Sequence, residues 1–192
     1  MAAYDLTTSS DVKSYLDITA STWDTLLANL VTNCSVWIEN YCGGKRFKNS
    51  GVDVTEYHDG DPNLEGKKIV FVRNTPIISV TSVSYASGSL SSPTWTAFDA
   101  ASYYVRNDRG GQLIFDSLPQ GNQNIRVIYQ GGYSTIPEDL ALACIQLIAR
   151  VFNKRKSEGV LNESVGGASV SWDRELTPEL RKTINRYRSH AV

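Results

Sequence analysis

The segment Asp59-Gly-Asp61-Pro-Asn63-Leu-Glu65 sets oxygen-bearing side chains at every second position, the spacing with which calcium loops surround a hard cation. Such a loop needs glycine at its sixth position and glutamate at its twelfth. Here those positions are Leu64 and Val70, so the stretch reads as an acidic hairpin turn, and no metal or cofactor is expected. His58 and His190 are the only histidines, and no signature joins either one to a nucleophile or to a ligand cluster. The chain has no Gly-x-Ser-x-Gly elbow, no phosphate-cradling glycine loop ending in Lys-Ser/Thr and no His-Glu-x-x-His helix. Sequence therefore nominates no catalytic residue.

Two features point to partners instead. Arg181, Lys182, Arg186 and Arg188 outnumber the acid Glu179 near the C-terminus. That excess is either a solvated face or a surface for an acidic partner, and a formal net charge of −1 favours protein over nucleic acid. Trp172 is the one large aromatic in a glycine-containing stretch over 157–176, so it is either folded back on the helices or an interface anchor.

The elements that would carry these residues follow from periodicity. Thr8 with Asp11 resembles a capped helix start, and Ser21 with Asp24 repeats the pattern ahead of a helix running to about Cys42. Along it Trp23, Leu27, Leu30, Cys34, Trp37 and Tyr41 recur at four- and three-residue steps, and Gly43-Gly44 ends it. The period then becomes two, with strand-like runs at 54–57, 68–73, 78–85, 94–98, 103–106, 112–115 and 125–129. Turns are expected at Ser87-Gly88 and around Pro119-Gln-Gly121-Asn122, among others. Gly131-Gly132 and Pro137 switch the chain back to helix over about 137–156. Its stripes are Leu140, Cys144, Leu147, Val151 and Ala141, Ile145, Ile148, Phe152, a face wide enough to be covered on more than one side. The last helix starts with Thr177 as cap and Pro178 first.

The fold class expected is α+β: a helical bundle framework of N- and C-terminal helices packed together, with an inserted antiparallel β sandwich or barrel. The boundaries are 1–51 for the first helices, 52–131 for the β insertion and 132–192 for the last helices, with 157–176 a mobile linker. Leu27, Leu30, Cys144, Leu147 and Val151 are expected to share a core. Cys34, Cys42 and Cys144 are odd in number and lack ligand spacing, as suits reduced thiols. No apolar run approaches membrane-spanning length, and the N-terminus has neither a basic start nor an apolar core. The protein is expected to stay where it is made unless it is assembled into something.

Several segments in order resemble the head–tail connector, or neck adaptor, proteins of tailed phages. They are Leu6-Thr-Thr with Val12-Lys-Ser-Tyr-Leu16, Ile38-Glu-Asn-Tyr-Cys42-Gly, Glu56-Tyr-His-Asp-Gly60, and Asn74-Thr-Pro-Ile-Ile-Ser-Val-Thr-Ser-Val83. Gly131-Gly-Tyr with Ile136-Pro-Glu-Asp-Leu140, and Val165-Gly-Gly with Ser169-Val-Ser171 before Tyr187-Arg, complete the set. Where that family commonly has Cys-Gly-Arg-x-Phe, this chain reads Cys42-Gly-Gly-Lys-Arg-Phe47, one residue longer.

The resemblance implies a non-enzymatic virion protein, made in the host bacterial cytoplasm, that forms a homo-oligomeric ring of about twelve copies under the portal. Such a ring extends the DNA channel toward the tail, contacts the next neck or tail-completion protein, and lets DNA pass without sequence-specific binding or any membrane. Portal contact would fall to Trp172, Arg181, Lys182, Arg186 and Arg188, and subunit packing or core to Trp37, Ile145, Ile148 and Phe152. The alternatives are a tail-completion or stopper protein, and a hydrolase with its site in the β insertion.

Overall fold

The computed structural model describes residues 4–60, 68–89, 92–108, 110–155, 162–165, 168–171 and 176–188. The chain divides into two compact units, one formed by Met1–Cys42 with Ile136–Arg188 and the other by Gly43–Thr135. The α-helices and one two-stranded hairpin belong to the first and the two larger antiparallel sheets to the second, so the fold is mixed α+β.

In the helical unit, α1 (Ser9–Leu16) opens on a capping box: Thr8 Oγ1 accepts the Asp11 N–H at 3.1 Å, and Asp11 accepts the Thr8 N–H. Reciprocal satisfaction of two otherwise orphaned donors fixes the start of a helix too short to hold itself. The second expected cap is absent. Ser21–Trp23 forms a 3₁₀ turn instead, and α2 (Asp24–Tyr41) begins without a side-chain cap. Helix α3 (Glu138–Lys154) takes Pro137 as its N-cap rather than as its first residue, with Glu138 and Asp139 against the positive end of the dipole. Helix α4 (Pro178–Asn185) starts as its sequence requires, with Thr177 Oγ1 accepting the Leu180 N–H at 3.3 Å. Helix α1 contacts α2 and α3, α2 packs on α3, and α4 packs on α3.

The buried faces differ in phase from the expected stripes. On α2 the buried residues are Leu27, Val31, Cys34, Ser35, Ile38 and Glu39, while Leu30 is half-buried and Trp37 is 42% exposed. On α3 they are Leu140, Ala143, Cys144, Ile148, Ala149 and Phe152; Leu147 is half-buried and Val151 is 41% exposed. The shared core thus keeps Leu27 and Cys144 and substitutes Val31, Ile38 and Ile148 for Leu30, Leu147 and Val151. A strict 3.5-residue stripe drifts around a straight helix of 3.6 residues per turn, so the aromatic end of the α2 stripe rotates outward.

The β unit holds two antiparallel sheets. One has the order β1 (Val54–Gly60), β7 (Gly121–Gly131), β3 (Ile77–Ser89), β4 (Ser92–Ala97); the other runs β2 (Ile69–Phe71), β6 (Gln112–Phe115), β5 (Tyr103–Arg106). Val70, Leu113 and Phe115 from the smaller sheet share one apolar cluster with Val83, Ile125, Val127 and Tyr129 from the larger. Ser87 and Gly88, expected in a turn, lie inside β3 opposite Thr94 and Pro93, so that hairpin extends further than its composition suggests. Gly121, also expected in a turn, is the first residue of β7.

The glycine pair at the end of β7 has two separate causes. A side chain on Gly131 would run into the Asn74 carbonyl, whereas Gly132 has φ +102°, which other residues rarely adopt. The chain beyond them is stitched to the start of the unit, Tyr133 N–H donating to Phe47 O at 2.6 Å and Asn49 N–H to Tyr133 O at 3.0 Å. Within 157–176, read from sequence as an unstructured linker, Asn162–Val165 (β8) pairs antiparallel with Ala168–Ser171 (β9).

Candidate functional site

Two of the basic residues singled out at the C-terminus, Arg186 and Arg188, lie with Trp37 around the junction of α2, α3 and α4. Leu180 and Ile184 bury one face of α4, and the Cys42 thiol donates to the Ile184 carbonyl at 3.7 Å. This seating leaves the polar face of α4 and the turn after it beside the C-terminus of α2 and the N-terminus of α3. Tyr41 Oη donates to Asn185 Oδ1 at 3.1 Å, and the Arg188 guanidinium lies 5.8 Å over the Tyr41 ring. Trp37 stacks on the same tyrosine, its ring 5.3 Å from Tyr41 and 17° from parallel. At the α3 end, Tyr187 Oη donates to Asp139, and Arg186 reaches the same carboxylate at 3.9 Å.

The result is a solvent-facing surface of Trp37, Tyr41, Arg186 and Arg188, with Arg181 and Lys182 exposed further back along α4. Trp, Tyr and Arg are the residue types that dominate binding energy in protein interfaces, because each combines apolar area with a directional polar group. Pre-stacking Trp37 on Tyr41 lowers the ordering cost that docking imposes on a free side chain.

The remaining site residues separate by burial. Ile148 and Phe152 are enclosed within the unit at 0% and 6% exposure, while Ile145 is half-buried. Phe152 meets Trp23 edge-on at 5.6 Å, and the Arg155 guanidinium covers both rings. Trp172, His190 and the segment from Asp61 to Lys67 lie outside the described residues.

Sequence reasoning missed a polar network inside the β unit. The Tyr129 hydroxyl, fully buried, donates to Glu56 Oε1 at 2.6 Å and accepts the Asn74 N–H at 2.9 Å. Arg73 N–H also donates to the Glu56 carboxylate at 3.1 Å, and His58 Nε2 stands 3.3 Å from Oε2 at ion-pair distance. Burial opposes ionisation of Glu56, but the neighbouring His58, Tyr129 and Arg73 groups outweigh it and hold the carboxyl below its ordinary range. Burial and the adjacent Glu56 charge push the Tyr129 phenol far up. Glu56 and Tyr129 are diagonal neighbours across the β1–β7 pair, Glu56 opposite Val127 and Tyr129 opposite Val54, while 73 residues apart in sequence, a proximity that no local pattern signals.

That network pins the β2–β3 connection to the sheet, and it offers no nucleophile beside a base. Among the described residues, no cluster of three or more His, Cys, Asp or Glu side chains is arranged to hold a metal ion, and no helix is long and apolar enough to cross a membrane. Burial raises the thiols of Cys34 to about 11 and Cys144 to about 12, which keeps them protonated and inert.

An α+β chain built from a helical unit and a β unit, presenting an aromatic and basic surface, has the character of an assembly component. Over residues 5–190 the sequence matches the family model described as head completion protein, and the chain belongs to that family. Its role is therefore a structural one at the phage head–tail region, and its place is the virion. No curated protein matches the chain.

Proposed function

We propose that this head completion protein is a connector: copies form a ring that docks beneath the portal and continues the DNA channel toward the tail. The observation that carries the reading is the surface of Trp37, Tyr41, Arg186 and Arg188, a pre-stacked aromatic pair flanked by cations. In this reading α1 to α4 are the bundle framework that stacks around the ring. The surface they carry meets an acidic, partly apolar face of the portal, and loops of the β unit contact neighbouring copies or the next neck protein. Arg181 and Lys182 add long-range attraction, which acts on association rate and weakens with salt. Trp37 supplies apolar contact, which acts on dissociation.

The test is electron microscopy of the purified protein with and without portal, together with surface plasmon resonance on immobilised portal. Rings seated on the portal are expected. Trp37→Ala should raise the dissociation rate at least tenfold, and Arg186→Gln with Arg188→Gln should slow association at low salt. A protein that forms no ring with portal, or a Trp37→Ala variant that binds portal like the parent, would overturn the proposal.

A further inference from the structure

The outer face of the four-stranded sheet carries a second feature, unrelated to portal docking. Tyr57 on β1, Arg126 on β7 and Ser84 on β3 lie in one cross-strand row, with Trp95 on β4 opposite Ala86 in the next. Side chains two apart on a strand share a face, so Tyr57, Asp59, Ala86, Gly88, Pro93 and Trp95 all border one open cleft. Its far wall is the stretch from Gln120 to Asn124, and it encloses about 800 Å³, within the span of roughly 300–1,000 Å³ usual for small-ligand sites.

The wall is built, not loose. Asn124 is 7% exposed; its Oδ1 accepts the Gly60 N–H at 2.8 Å and its Nδ2 donates to Pro119 O at 2.8 Å. Asp59 Oδ1 accepts the Gln123 N–H at 2.6 Å, which holds Gln123 at a φ of +46°. Trp95 is fixed as well, by the Arg126 guanidinium 4.4 Å over its ring and by Tyr57 at 5.8 Å.

We propose that this cleft binds a neutral saccharide. Among the described residues the lining holds one charged side chain, Asp59, whose Oδ1 is taken by the Gln123 N–H, and no lysine or arginine, Arg126 being engaged by the Trp95 ring and by Ser84 Oγ at 3.1 Å; an anionic ligand therefore finds no cation in the lining. What remains is a pair of aromatic rings beside the exposed amides of Gln120, Asn122 and Gln123, over a floor of Ala86, Gly88 and Gly121. An amide both donates and accepts, matching hydroxyl groups that do the same, and an aromatic face matches the apolar C–H face of a pyranose. A polypeptide fits less well. The floor is a sheet face and not a free edge, Pro93 removes one donor from the neighbouring edge strand, and the small floor residues leave no deep apolar pocket for an anchoring side chain.

The experiment is a two-dimensional ¹H–¹⁵N NMR titration of the full chain with maltohexaose, cellohexaose and chitohexaose. At least one is expected to shift the Trp95 indole N–H and the backbone signals of Gly121, Asn122 and Gln123 saturably. Trp95→Ala should weaken that binding at least tenfold and Trp37→Ala should leave it unchanged. Should Trp95→Ala fold poorly, the exposed Asn122→Ala is read instead, with a loss of at least threefold. Three unresponsive probes, or variants at 95 and 122 that bind like the parent, would overturn the assignment. So would the same residues shifting with protein concentration alone, which would make the face a contact between copies. None of these outcomes bears on portal docking.

Discussion

Replacing Tyr129 by phenylalanine removes one oxygen and strands two partners. The Asn74 N–H loses its acceptor in a buried position, where an unsatisfied donor costs about 1–3 kcal/mol. Glu56 loses a charge-assisted hydrogen bond of 2.6 Å, a class worth about 1.5–3 kcal/mol. The two losses share one atom and do not add fully, so a net destabilisation of about 3 kcal/mol is expected. For a chain of this size each kcal/mol moves Tm by about 2–4 °C, hence a drop of about 6–12 °C at pH 7.

The pH dependence gives a sharper check. The Glu56 carboxyl is held below its unfolded value, so its contribution is complete above the ordinary carboxylate range and is lost as pH falls through the lowered folded value. The deficit of Tyr129→Phe should therefore be largest at neutral pH and shrink in acid, as the parent loses the charge that the hydroxyl serves. Urea denaturation of parent and variant, followed by circular dichroism from pH 7 down to pH 3, measures both quantities. A variant within about 0.5 kcal/mol of the parent at pH 7 would refute the reasoning, and a deficit that does not change with pH would refute the charge-assisted part of it.

Ile148→Ala, at a fully buried site on α3, should cost about 2–5 kcal/mol in the same assay, whereas Val151→Ala one turn on, 41% exposed, should cost well under half of that. Equal effects would mean that the buried stripe is misplaced. Cys34, Cys42 and Cys144 are all buried, and burial raises the Cys34 and Cys144 thiols. Thiol-reactive reagent at pH 8 should therefore label none of them in the native protein and all of them in urea; rapid native labelling would contradict the enclosed core.

The order of elements was readable because each rests on local chemistry. The Thr8–Asp11 box and the Thr177-Pro178 start are visible as neighbours in sequence, and the runs at 103–106 and 112–115 became β5 and β6 without change. What failed depended on tertiary context. Ser35 is buried on α2 because its Oγ accepts the Leu6 N–H at 3.0 Å, a contact across 29 residues that no periodicity encodes. Trp37, expected in subunit packing or core, is 42% exposed with its ring stacked on Tyr41. Trp37 and the C-terminal arginines were assigned different tasks from sequence, since only the seating of α4 brings them together. The hairpin of β8 and β9 escaped because two four-residue strands carry too few apolar residues to impose an alternation.

The division of the chain has a consequence for synthesis. Every residue of the β unit described here, Gly43–Thr135, is contiguous and can leave the ribosome as a complete set, whereas α2 packs on a helix translated after it. At typical elongation rates that partner emerges roughly 5–20 s later. During the interval α2, with Leu27, Val31 and Ile38, has only the short α1 before it to pack against. The nascent chain thus carries a finished β module between a waiting amphipathic helix and the peptidyl-transferase centre, and holdase chaperones have a defined window in which to engage it.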